Sequence, residues 1–364
     1  MIYLDHAATT PVAREVADTM YDVLLNGSGN PSSQYPYGAA AKKRLEADRA
    51  VIAAALGCKP DELYFTSCGT ESDNWAIRLA AHQNRRVGKH IVTTAVEHSA
   101  VLEPCKQLEQ EGYTVTYLAP DRQGNITAQQ VADALREDTA LVSVMLVNNE
   151  TGCVFPVGEI ARLLRERGSR ALLHTDAVQA FLKLPFRADT LGADLISVSG
   201  HKLNAPKGVG ALYIGPRCRA VRPLLAGGGQ ERGLRSGTEA TAQIAGFAKA
   251  VELRLAGYDA KIAHMAALRD YCREKLLTIP GMAPVAAFAH SAGTTPAQPF
   301  MAMAPPVMPA INECDFEHGM PKYQHAMPHK MAPIIAATRA YNAELVSPEK
   351  STMPNMVFAT AVEM

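Results

Sequence analysis

The feature that most constrains this chain is an alternation. Short apolar runs at residues 63–66, 90–94, 114–118, 140–147, 171–175, 195–199 and 209–214 are separated by segments with helical periodicity. Strands joined through helices of about 10–15 residues are crossover-connected, so the pattern predicts a mainly parallel seven-stranded sheet with helices on both faces, an α/β fold. Helices are expected at residues 12–25, 38–56, 75–82, 99–111, 127–135, 157–167, 240–255 and 262–277. At 364 residues the chain can hold a large core and a smaller second domain, because single cores stop growing near about 250–300 residues.

In such sheets ligands collect at the carboxyl ends of the strands. Asn149, Asp176 and Lys202 all fall there. Lys202 follows the apolar run 195–199 and precedes a turn rich in Pro and Gly, which no helix continues through. Partial desolvation at such a position lowers a lysine's pKa and makes a neutral, nucleophilic amine accessible for a Schiff base. Gly69 and Thr70 sit where a turn opens a helix, with free N–H groups and the positive end of the helix dipole, a setting suited to a phosphate. Ser199 and His201 offer further phosphate donors. Asp176 closes a core strand; it suits a protonated ring nitrogen and equally suits an ordinary turn or helix cap. His98, just past a strand end, can stack on a ring or sit in an unrelated environment, and Gln179 can reach a ring hydroxyl or be solvated. A Schiff-base lysine, an acid for the ring nitrogen and a phosphate cradle are the three things pyridoxal phosphate requires.

The motifs that carry these residues resemble those of the cysteine desulfurases of the class V aminotransferase superfamily. They are Gly29-Asn-Pro-Ser-Ser33, Gly69-Thr-Glu-Ser-Asp-Asn74, Glu97-His98, Asn148-Asn-Glu150, Asp176-Ala-Val-Gln179, Ser199-Gly-His-Lys202 and the glycine-rich stretch 227–238, in the family's order over residues 1–280. The resemblance implies a fold-type I pyridoxal-phosphate-dependent transferase acting as a homodimer. It also implies a large domain over residues 12–255 and a small domain built from 1–11 and 256–364. Carried over by matching motifs, Lys202 holds the cofactor, Asp176 pairs with the ring nitrogen and His98 stacks on the ring. Asn149 and Gln179 bond near the ring oxygen or substrate, and Gly69, Thr70, Ser199 and His201 hold the phosphate. Thr238 reaches the phosphate of the partner subunit, on a loop expected to be mobile. Cys68 and Tyr35 depart from the family's usual small residue and histidine without removing a cofactor contact.

The end of the chain departs further. Nine of the 14 methionines and 11 of the 23 prolines lie in residues 283–364, where Leu345 is the only leucine. A desulfurase needs a cysteine thiolate on a C-terminal loop to take the sulfur, and the family's Ser-Gly-Ser-Ala-Cys type of loop is absent. Cys314 is the candidate by position, although Glu313 and Asp315 beside it disfavour a thiolate. A replaced C-terminal region competes with a shifted reading frame near residue 282, and the abrupt change of composition favours the shift; the segment is expected to be atypical or disordered.

The expected reaction is L-cysteine to L-alanine, with sulfur passed through an enzyme persulfide to an acceptor or scaffold protein. Alternatives are a selenocysteine lyase, a cysteine lyase or an aminotransferase of the same class, or an impaired paralogue that acts by binding. Lys+Arg and Asp+Glu both number 36, which gives no reason to expect nucleic acid or an anionic membrane as partner. The seven cysteines are scattered without a C-x-x-C pair, so neither a zinc site nor a disulfide framework is expected. With no basic-then-apolar leader and no apolar run of about 18 residues, the expected location is cytoplasmic.

Overall fold

The seven runs form one sheet in the order β1-β7-β6-β5-β4-β2-β3. The strands are β1 (Leu63–Thr66), β2 (His90–Thr94), β3 (Thr114–Leu118), β4 (Thr139–Ser143), β5 (Leu172–Asp176), β6 (Leu195–Ser199) and β7 (Gly210–Ile214). All neighbours pair in parallel except β7, which runs antiparallel to both β1 and β6. The computed structural model describes residues 3–219 and 221–280. Cys314 and the atypical segment 283–364 lie outside the described residues.

Every central strand is buried on both faces, which is why these runs read as continuous rather than alternating. The pleat nevertheless divides them by a period of two. Leu63, Phe65, Val92, Val142, Leu173, Ile196 and Ala211 enter one core. Tyr64, Ile91, Leu141, Leu172, Leu195 and Leu212 enter the other. The second core is closed by α3 (Gly69–Gln83) and α4 (Ser99–Gln110), through Trp75, Leu79, Val101, Cys105 and Leu108. The first is closed mainly by α2 (Pro36–Leu56), α5 (Ala128–Asp133), α6 (Val157–Glu166) and α8 (Thr241–Leu255). On α2 the buried positions Leu45, Arg49, Ile52 and Leu56 follow the helical repeat. That helix stops at Gly57, whose φ of +79° and close approach to Arg187 leave no room for a side chain. The remaining helices are α1 (Arg14–Asn26), the single turn α7 (Ala188–Leu191) and α9 (Tyr258–Leu277). Among the described residues no helix is long and apolar enough to cross a membrane.

The apolar run 140–147 gives a shorter strand than expected, and the reason lies in a side chain. Beyond Ser143 the chain keeps its bonds to the β5 side, with Val144 N donating to His174 O at 3.1 Å and Leu146 N to Asp176 O at 2.8 Å. On the β2 side the strand partner is replaced by the carboxyl of Glu97, which accepts from Met145 N at 2.9 and 3.1 Å. α3 also begins at Gly69, well before Trp75, because its first two turns bury polar residues, Ser72 and Asp73.

Candidate active site

The carboxyl ends of β1, β2, β4, β5 and β6 surround one cavity of about 510 Å3. Gly69, Thr70, His98, Asn149, Asp176, Gln179, Ser199, His201 and Lys202 all line it. The structure therefore gathers nine of the residues singled out in the sequence, carried at or just after the ends of five different strands. Thr238 stands apart from them, exposed on the surface.

Lys202 ends a single 3-10 turn, Gly200–Lys202, that follows β6 directly. Burial lowers the pKa of its ammonium, against the opposing charges of Asp176, Asp5 and Glu150. Its Nζ donates to the backbone oxygens of Ala7 and Ala8, the latter at 3.0 Å. Asp176 closes β5, 6% exposed, with Oδ1 accepting from Val178 N at 2.8 Å. Burial pushes its carboxyl up to about 7, and the nearby charge of Asp73 adds to the effect. A buried acid of this kind ionises readily once a cation stands against it.

His98 caps α4: its Nδ1 accepts from Ala100 N at 3.0 Å. That bond leaves the ring proton on Nε2 and fixes the ring at the cavity wall. Gln179 is held between Ala7 O, to which its Nε2 donates at 3.0 Å, and Lys183 Nζ, which donates to its Oε1 at 3.0 Å. His201 Nδ1 lies 3.1 Å from Thr9 Oγ1, and burial with the charges of Lys202, Lys207 and Lys183 pushes the imidazole down to about 4, so it is neutral at pH 7.

The residues present fit a phosphorylated ring. Ser199 Oγ is buried with no hydrogen-bond partner among the described residues, a donor waiting for an acceptor. Beside it, a Cβ on Gly69 would come within 3.0 Å of Val178 Cγ2 and 3.5 Å of Ser199 Cβ, so the backbone is held close at the start of α3. The free amides of that 15-residue helix point the same way.

Beneath the cavity lies a polar layer that the sequence reading did not identify. His174, on β5, bonds Ser143 Oγ at 2.8 Å and Ser197 Oγ at 3.1 Å, and its Nε2 is 3.5 Å from Asp73 Oδ1. Burial pushes His174 down to about 4 and Asp73 up to about 7, so the imidazole is neutral at pH 7 and the carboxyl is far less ionised than a free one. Asp73 could have been found by running the α3 periodicity backwards, since it lies three and four residues before the buried Ala76 and Ile77. Glu97 was quoted only within a motif. It too is buried, and burial pushes it up to about 8.

Glu97 gives the site a pH signature. Its folded pKa lies above the unfolded value, so its favourable contribution is complete below about pH 4.5 and is lost as the pH rises through about 8. Glu97→Gln keeps an acceptor for Met145 N and cannot ionise. The variant is expected to lie close to the parent near pH 5 and to be more stable than it near pH 9, by several kcal/mol, about 1.4 for each unit of the rise. Urea midpoints at the two pH values measure this; equal differences at both would show that Glu97 does not titrate in this range.

An open α/β sheet with a desolvated lysine, a buried acid and a phosphate cradle at its strand ends is the arrangement of the fold-type I pyridoxal-phosphate transferases. Within that class, the chain matches the family model described as aminotransferase class-V over residues 2–297, and it belongs to that family. It is 47% identical over 279 residues to the cysteine desulfurase of Trichormus azollae, covering 76% of this chain and 68% of the relative. Against the cysteine desulfurase IscS of Methanosarcina thermophila the identity is 45%, over 77% of this chain and 68% of the relative. Among solved structures, a NifS-like protein superposes with a TM-score of 0.75 at 38% identity, covering 78% of each chain. SspA in complex with cysteine gives a TM-score of 0.69 at 37% identity, covering 78% of this chain and 80% of that one.

Proposed function

We infer that this chain is a pyridoxal-phosphate-dependent cysteine desulfurase that converts L-cysteine to L-alanine and passes the sulfur on through an enzyme persulfide. The observation that carries the reading is the half-buried amine of Lys202 sharing one cavity with Asp176, His98 and the unpartnered hydroxyl of Ser199. The relatives named cysteine desulfurase supply the reaction.

Bound in this cavity, pyridoxal phosphate supplies an electron sink for negative charge at the substrate's α-carbon. Asp176 would take the ring nitrogen, and a positive charge there would favour its ionised form over the neutral form that burial favours. His98, its Nδ1 already taken by Ala100 N, presents a fixed ring face. Ser199 Oγ, Thr70, the Gly69 backbone and neutral His201 take the phosphate oxygens. Asn149 and Gln179 orient the ring oxygen and the incoming amino acid. Lys202 Nζ would hold the cofactor, and as a free amine it would take the proton from the substrate's α-carbon and return one to the product. Thr238, exposed here, serves the phosphate site of a second copy, which makes the homodimer part of the active site. The cofactor site belongs to a large domain over residues 12–255.

Cys314 is the candidate sulfur acceptor by its position in the sequence alone, and Glu313 and Asp315 beside it work against a thiolate there. Burial pushes Cys58, Cys105 and Cys218 up to about 12, which keeps these three as thiols. A sulfur-acceptor or scaffold protein then receives the persulfide sulfur. The test is alanine formation from L-cysteine by the purified, cofactor-loaded chain, run beside a panel of selenocysteine and amino-group donors. Alanine with sulfide under reductant supports the desulfurase. Selenide without sulfide, or a keto acid product, transfers the assignment to a selenocysteine lyase or an aminotransferase. Bound cofactor with no turnover of any substrate marks an impaired paralogue.

A further inference from the structure

Residues 5–10 cross the mouth of the cavity as a strap, and Asp5 builds its first turn. Ala8 N donates to both the backbone oxygen and Oδ1 of Asp5, each at 3.2 Å, and the Tyr3 hydroxyl donates to the same backbone oxygen at 2.7 Å. The turn aims the carbonyl oxygens of Ala7 and Ala8 at Lys202 Nζ. Farther along, Thr10 N and Oγ1 both donate to His201 O, at 2.9 and 2.8 Å, and Asn204 N donates to Thr10 Oγ1 at 2.7 Å. The strap is thus tied on both sides of the lysine.

Two carbonyl oxygens make a good acceptor pair for an ammonium, which has three donors. They are a poor pair for a nitrogen bonded to the cofactor, which keeps one N–H at most. The contacts therefore belong to Lys202 when it is not joined to the cofactor. On the function inferred above, that condition arises before loading and again in every turnover, when the substrate amine displaces the lysine.

We propose that the turn of residues 5–8 is a parking site for the free amine of Lys202, and that Asp5 is the positioning residue that sets it. Asp5 does so in two ways. Its Oδ1 and backbone oxygen shape the turn, and its charge favours the ammonium form, together with Asp176 at the end of β5 and Glu150 after β4. His201 beside Lys202 is neutral, and Lys183 is engaged by Gln179. Asp5 is itself exposed, so replacing it leaves both cores intact.

Two substitutions separate the two effects. Asp5→Asn keeps an oxygen for Ala8 N and removes the charge; Asp5→Ala removes both. The full chain is stripped of cofactor, and uptake of pyridoxal phosphate is followed by absorbance across pH, with amide exchange of the strap measured in parallel. Only the neutral amine attacks the cofactor, so Asp5→Asn is expected to load about threefold faster below the midpoint, equivalent to a midpoint lower by about half a unit. Asp5→Ala is expected to load faster still, with loss of exchange protection at Ala8 and Thr9. Uptake by both variants identical to the parent at every pH, or Asp5→Ala indistinguishable from Asp5→Asn, overturns the proposal. Alanine formation by the parent is scored separately. A parent that makes alanine while uptake ignores Asp5 sinks the parking site alone, and one that loads cofactor without making alanine sinks only the desulfurase reading.

Discussion

Lys202→Ala is expected to leave a folded protein that forms alanine from cysteine slower by on the order of 10^3-fold or more and shows none of the visible absorbance of a lysine-bound cofactor. The physical basis is that, on the function proposed above, one side chain carries both roles, attachment of the cofactor and movement of the α-proton, so no neighbour retains half of the function. The fold should survive. Lys202 is only half-buried, and its two acceptors, Ala7 O and Ala8 O, lie at the cavity mouth where water replaces the ammonium. Lys202→Arg keeps the charge and the carbonyl contacts but cannot become a neutral amine, so it should fail equally in turnover. Cofactor affinity measured by equilibrium dialysis should remain measurable in both variants, because Asp176, Ser199 and the start of α3 are untouched. Wild-type turnover by either variant would remove Lys202 from the mechanism.

Comparison of the sequence with the structure shows where local reasoning works. The strands and their order of appearance were legible because each apolar run is bounded by polar turns, and burial on both faces writes itself as an unbroken run. The site residues were legible because an α/β sheet delivers all its parallel strands' carboxyl ends to one edge. What was not legible depends on side chains standing in for backbone. Nothing in the run 140–147 announces that Glu97, some 50 positions earlier in the chain, takes over one edge of the strand at Met145. Asp73 and His174 were missed for a related reason. A polar residue inside a helix or strand is read as a surface position, and only the tertiary layer supplied by Ser143 and Ser197 makes burial tolerable. The strap over Lys202 is invisible in the sequence, because hydrogen bonds between residues 7–10 and 179–204 have no local signature.

The glycine-rich stretch 227–238, expected to be mobile, is tied down at several points, and its anchoring yields the second large effect. Glu231 and Arg49 form a two-pronged ion pair, both contacts at 2.7 Å, with each side chain 2% exposed. Glu231 Oε2 also accepts from Phe65 N on β1 at 2.8 Å, and the Arg49 guanidinium lies 4.5 Å from the centre of the Phe65 ring. Glu231 and Arg232 adopt φ values of +46° and +57°, a left-handed turn that non-glycine residues hold only when their surroundings enforce it. A second pair, Arg235 to Glu71 at 2.7 Å, ties the same stretch to the first turn of α3, next to the phosphate cradle. Glu231→Ala strands the Arg49 charge in the core, leaves Phe65 N without its acceptor and releases the strained turn. Removing one partner of a buried pair costs about 3–5 kcal/mol. Glu46, 3.1 Å from Arg49 Nε, and Leu63 O still share that guanidinium, which places the expected loss toward the lower end of the range. Urea unfolding of the parent, Glu231→Ala, Arg49→Met and the double variant measures it as a cycle. The double variant is expected to be less destabilised than the sum of the two single ones, because it buries no unpaired charge. Additive losses would mean that the two side chains act independently, and that the loop carrying Thr238 owes its position to its other anchors, Arg235 on Glu71 and Arg232 on the Pro60 and Leu63 oxygens.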